Sequence, residues 1–165
     1  MSAQSVADKC AELPVFNAEL EGDETERSYD LVLKPVNPID GVDQYWPLFN
    51  SGSEAEQFGN MLFKFNGKKG TFVLNLTLDL SEVPDLQFAK STGQGQDGIK
   101  GLTQNFKHEF KAQAEKNDDH KYTKLKVTIK NKDAEEDTYS FLWQCTTAGG
   151  ADFISGDPRA KIDPE

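Results

Sequence analysis

The chain is short of the residues that most chemistry needs. Its 165 residues include two histidines, two cysteines, two methionines and two arginines, Arg27 and Arg159. Histidine is the side chain whose ordinary pKa lies nearest neutrality, so acid–base catalysis could draw only on His108 and His120. His120 falls in the turn-like stretch Asn117 to Lys121, and His108 lies between Lys107 and Glu109. Neither belongs to a Gly-x-Ser-x-Gly, His-Glu-x-x-His or Cys–His signature. The 28 acidic side chains offer many carboxylates, but no spacing singles out a catalytic pair. An enzyme would need a pocket joining His108 to a carboxylate. The chain reads as non-enzymatic.

Cys10 and Cys145 form neither a CxxC nor a zinc-site spacing. In a reducing compartment both would be thiols; in an exported chain a disulfide could tie the N-terminal segment to the strand bearing Cys145. Long apolar runs are also missing. Ser2 to Glu12 is polar and carries Asp8 and Lys9, so no signal peptide and no membrane span is expected. That points to the cytoplasm, although a processed, exported chain would look the same.

Charge of one sign is scarce in one place. The net charge is −10, yet residues 1–57 hold 12 acidic and 3 basic side chains, while the rest is nearly balanced. An acidic first third with a single arginine repels phosphate backbones, which argues against nucleic-acid binding. Solubility is the simplest use of such acidity.

What the chain does have is aromatic mass and alternation. The 11 Phe, 4 Tyr and 2 Trp can fill a core despite a mean hydropathy of −0.64, which excludes a fully disordered chain. From Lys121 to Lys130, Thr123, Leu125, Val127 and Ile129 alternate with Lys124, Lys126, Thr128 and Lys130. From Tyr139 to Thr146, Tyr139, Phe141, Trp143 and Cys145 alternate with polar neighbours and Leu142. Successive strand side chains point to opposite faces, so each run has a core face and a water face. With the polar connector Asn131 to Asp137 between them, they read as an antiparallel hairpin.

A second hairpin is expected from Met61, Phe63 and Phe65, the turn Asn66-Gly67-Lys68-Lys69-Gly70, and the alternating Phe72 to Leu80. Ser28 to Lys34 reads as a strand, Leu86 to Lys90 and Asp152 to Ser155 as short ones, and Val15 to Leu20 as another. Ser2 to Leu13 could form a short helix stopped by Pro14. Ser51 to Glu54 and the glycine-rich Ser91 to Gly101 read as loops; Gly93-Gln94-Gly95 is no phosphate loop. Leu102 to Lys116 fits both periods, and the strand reading is preferred because it would pair with Lys121 to Lys130. These elements predict one domain over residues 1–165, with 1–26 weakly structured. The fold class is an all-β antiparallel sandwich, immunoglobulin-like or jelly-roll-like, with a short N-terminal helix.

Tyr45, Trp46 and Phe49 are the candidate ligand-binding residues. As an exposed platform they could stack a sugar or hold a partner; as a plug they would close one end of the sandwich. Asp40 with Asp43, and Asp152, Asp157 and Asp163, could supply calcium ligands, though not at EF-hand spacing. The sequon Asn75-Leu76-Thr77 lies mid-strand, where glycosylation is not expected. Lys121, Lys124, Lys126 and Lys130 form a basic stripe, in contrast to the acidic first third. That asymmetry suits self-association of acidic on basic surface, and lysine on an exposed strand also deters edge pairing.

The ending Phe153-Ile154-Ser155-Gly156-Asp157-Pro158, followed by Asp163-Pro164-Glu165, resembles the C-terminus of the bacterial DP-EP family, small β-sandwich proteins. It is similar in outline to the last strand of inclusion-body proteins of the PixA type. The resemblance covers about the last 13 residues and implies a sandwich closed by its C-terminal strand, with no active site carried over. The function expected is a binding or self-assembling module whose partner is a protein or another copy. A carbohydrate- or calcium-binding module is the alternative.

Overall fold

The computed structural model describes residues 6–42, 44–104, 106–132, 136–155 and 158–165. A one-helix start, α1 (Val6–Glu12), precedes thirteen strands: β1 (Phe16–Glu19), β2 (Glu26–Leu33), β3 (Leu48–Asn50), β4 (Ser53–Phe58), β5 (Met61–Lys64), β6 (Thr71–Leu78), β7 (Gln87–Phe88), β8 (Ile99–Gly101), β9 (Phe110–Lys116), β10 (Tyr122–Lys130), β11 (Asp137–Thr146), β12 (Asp152–Ile154) and β13 (Arg159–Asp163). They form two sheets. One has six strands in the order β4-β3-β2-β6-β10-β9; the other has seven and runs β1-β5-β13-β11-β12, with β7 and β8 also on β11. The all-β sandwich with a short N-terminal helix is therefore what the chain adopts.

Alternation decides the layering. In β10, Thr123, Leu125, Val127 and Ile129 are buried while Lys124, Lys126 and Lys130 are exposed. In β11, Tyr139, Phe141, Trp143 and Cys145 are buried on the same rule. The inward sides of both sheets meet in one core that includes Phe63, Phe65, Phe72, Phe106, Phe141 and Trp143. Its rings pack edge-on or offset, as Phe106 on Phe110 at 4.5 Å and Phe65 on Phe72 at 4.8 Å, the arrangements aromatic quadrupoles favour.

Three expectations about pairing are corrected. The Asn-Gly turn forms, with Asn66 and Gly67 both at positive φ (53° and 76°), but β5 and β6 do not pair. Lys68 to Gly70 carry the chain from one sheet to the other, and β5 lies between β1 and β13, parallel to both. Likewise β10 and β11 belong to opposite sheets. The connector of the expected hairpin is a crossing between layers, and its residues 133–135 lie outside the described ones. Finally, the sheets are mixed: β2 runs parallel to β6. An amphipathic strand exposes one face, and that pattern is equally satisfied whether the next strand pairs beside it or packs across from it.

The Leu102 to Lys116 region splits. Phe106–His108 is a 3₁₀ turn, and β9 pairs antiparallel with β10 from Ile129↔Phe110 to Tyr122↔Lys116, so the preferred strand and its hairpin are present. Strands β4, β8 and β13 arise where loops or a tail were expected. No described helix is long and apolar enough to cross a membrane.

Candidate functional site

The aromatic stretch is mostly inside. Trp46 and Phe49 are buried, at 1% and 4% exposure. Trp46 stacks on Phe153 at 5.7 Å, beside a gap of about 10 Å³ lined by Cys10, Tyr45, Phe58 and Trp143, too small to admit a sugar ring. Tyr45 is half-buried; its hydroxyl donates to the Phe58 carbonyl at 2.5 Å and accepts the Leu48 N–H at 3.3 Å. Burial pushes its pKa up to about 12, against the Leu48 hydrogen bond. With Trp46 and Phe49 enclosed, these three residues present no stacking platform; Trp46 and Tyr45 plug one end of the sandwich. Helix α1 seals that end. Gly59 lets it approach, since a Cβ there would lie 2.0 Å from the Cys10 carbonyl oxygen.

Among the described residues the acidic loops do not converge. No group of three or more potential metal ligands occurs among the described residues. Asp152 accepts the Gln144 side-chain amide at 3.1 Å and Asp163 caps the Glu165 N–H at 3.1 Å. Asp40 stands in a turn at φ 52°, and Asp43 and Asp157 lie outside the described residues. Cys10 and Cys145 are both buried and form no disulfide; burial raises the Cys145 thiol well above its usual range.

The basic stripe, in contrast, becomes a structured surface. Residues directly opposite in neighbouring strands share a face, so the register places outward side chains in rows across the six-stranded sheet. One row runs Asp30 (β2), Asn75 (β6), Lys126 (β10), Gln113 (β9); the next runs Ser28, Val73, Thr128, Lys111; a third runs Glu26, Thr71, Lys130. Glu26, Asp30, Lys111, Lys126 and Lys130 are all exposed. The Asn75 amide donates to Asp30 at 3.3 Å. Acid therefore stands on β2 and base on β10, with the uncharged β6 between them, two strand spacings or about 10 Å across. An open trough of about 850 Å³ lies over β6 and β10, bordered by Glu26, Lys69, Lys126, Lys130 and Lys132. None of Lys126, Lys130 and Lys132 has an acidic partner among the described residues. Alternation in 121–130 gave half of this surface; the acidic half needed the parallel β2–β6 register, which no local pattern encodes.

His108 does line pockets with carboxylates. It borders a cleft of about 690 Å³ with Asp137, Tyr139, Lys107 and Lys132, and an adjoining one of about 500 Å³ with Glu109 and Lys130. Glu109 itself is 2% exposed, so its carboxyl faces inward more than into either cleft.

No family model matches the chain, and no curated protein matches it.

Proposed function

We propose that the protein is a non-enzymatic module that binds a second copy of itself through the outer face of its six-stranded sheet. The observation that carries this reading is the level placement of Asp30 with Lys126 and of Glu26 with Lys130. A two-fold axis parallel to β6, lying between two such faces, sets β2 of each copy over β10 of the other at the same height. Asp30 then meets Lys126 and Glu26 meets Lys130, twice each, and the trough over β10 leaves room for the acidic side chains.

Magnitudes make this a weak association. Four strands of about eight residues present roughly 500 Å² per copy, at the low end of specific interfaces. Exposed ion pairs contribute about 0.2–1 kcal/mol each and are screened by salt. The dimer is thus expected at high protein concentration and low salt.

Light scattering across protein concentration, at ionic strengths of about 0.01 M and 1 M, tests the proposal. A dimer that dissociates with added salt supports it. A monomer at every concentration, or association that strengthens with salt, removes it.

A further inference from the structure

A second feature lies at the start of β9, beside the end of β10 where the chain leaves for the other sheet. Glu109 is buried although it is a carboxylic acid. Its Oε1 accepts the Tyr139 hydroxyl at 2.5 Å, and its Oε2 accepts the Lys132 backbone N–H at 3.2 Å. The Asp137 carboxyl also lies within hydrogen-bonding reach of it, and Asp137 Oδ2 is buried with no donor to satisfy it among the described residues. Two ionised carboxylates cannot hydrogen-bond, and side by side they repel. A proton on Glu109 satisfies the orphaned oxygen and removes the repulsion together.

The groups around the pair come from the turn before β9, from β11 and from the crossing segment. Tyr139 approaches from β11 and the Lys132 N–H from the crossing segment. Phe106 and Phe110 stack on each other and press against the Tyr139 ring at 5.8 and 5.0 Å, which keeps that side apolar. The side chains of Lys107, His108 and Lys132 border the cleft on the Asp137 side, and Lys111 and Lys130 border the adjoining one. Burial is the largest influence on Glu109 and lifts its pKa above the ordinary range; the Tyr139 and Lys132 donors oppose this, and the Asp137 carboxyl adds to the lift.

We infer that Glu109 keeps its proton in the folded protein and donates it to the Asp137 carboxyl, forming a latch between the start of β9 and β11 that opens when rising pH removes it. A carboxyl whose folded pKa is raised contributes stability that is complete below its unfolded value and is lost as pH rises through the folded one. The latch is therefore closed in mild acid and weakens from the ordinary carboxylate range upward. It ties the two sheets at the crossing from β10 to β11, so its opening would loosen that corner first.

Side-chain carboxyl ¹³C NMR across pH, with thermal melts of the wild type and of Asp137→Asn, tests the latch. The Glu109 carboxyl should titrate above the exposed glutamates. The wild type should lose melting temperature as pH rises from the carboxylate range through neutrality. Asp137→Asn carries a permanent N–H donor and should flatten that slope. Titration of Glu109 together with the exposed glutamates would overturn the inference whether or not the variant folds, and so would an Asp137→Asn variant that keeps the wild-type slope.

Discussion

The two sheets are built on opposite plans. In the six-stranded sheet, β2, β6, β9 and β10 are seven to nine residues long and hold registers that are broken only by one irregularity between β9 and β10, at Tyr122/Lys124. In the other, ten-residue β11 is a spine: β13 and then β12 pair along one edge, β8 and then β7 along the other. Those partners are two to five residues long, too short to persist alone. The first sheet is specified by its own strands, the second by a template that recruits its neighbours. Regular strands leave a regular outer face, which is where rows of charge can form.

Removing residues 159–165 should have the largest effect. It deletes β13, which fills the gap between β5 and β11, and exposes ladder groups on both. Loss of the cooperative thermal transition is expected; retention of a native-like melt would show that the seven-stranded sheet does not depend on it. Next comes Phe106→Ala, which empties a fully buried site between Phe110, Tyr139 and Phe141. A loss of about 3–5 kcal/mol in denaturant unfolding is expected. In contrast, Lys124→Ala on the outer face of the six-stranded sheet should stay within about 0.5 kcal/mol.

These contrasts explain what could be read from the residues. Leu125 to Ile129 and Tyr139 to Cys145 alternate through long runs, so their inward faces were legible. Their partners were not, because period two fixes which way a side chain points and says nothing about which strand lies beside it. Arg159-Ala160-Lys161-Ile162-Asp163 has only two inward positions, Ala160 and Ile162, and flanking prolines make it resemble a tail. Ile99 to Gly101 sits in a glycine-rich stretch and becomes a strand because the Phe141–Trp143 edge of β11 is open to it. At the aromatic stretch, composition could not choose between platform and plug. The choice fell to α1 and Gly59, whose missing side chain lets the helix close over that end.

A smaller effect concerns the attachment of the 90–98 loop to β9. Asp97 accepts the Lys90 ammonium at 2.9 Å and the backbone N–H groups of Ser91 and Ala114 at 2.9 and 3.0 Å. Burial raises its pKa, but these donors outweigh burial and hold it below the usual range. A lowered folded pKa stabilises above the unfolded value and is lost as pH falls through the folded one. Asp97→Asn should therefore cost on the order of 1–3 kcal/mol near neutrality and lessen the loss of stability in acid. Chemical denaturation at neutral and acidic pH checks this; equal losses for wild type and variant across that range would contradict it.

The change with the least effect on folding tests the central claim best. Asp30 and Lys126 occupy one row on exposed positions, so reversing either should leave the melt nearly unchanged while placing like charges opposite each other in the two-fold pair. Sedimentation equilibrium at low salt should show dimer for the wild type, monomer for Asp30→Lys and for Lys126→Asp, and dimer again when both changes are combined. A double variant that stays monomeric while the wild type dimerises, or single variants that dimerise as the wild type does, would contradict the account.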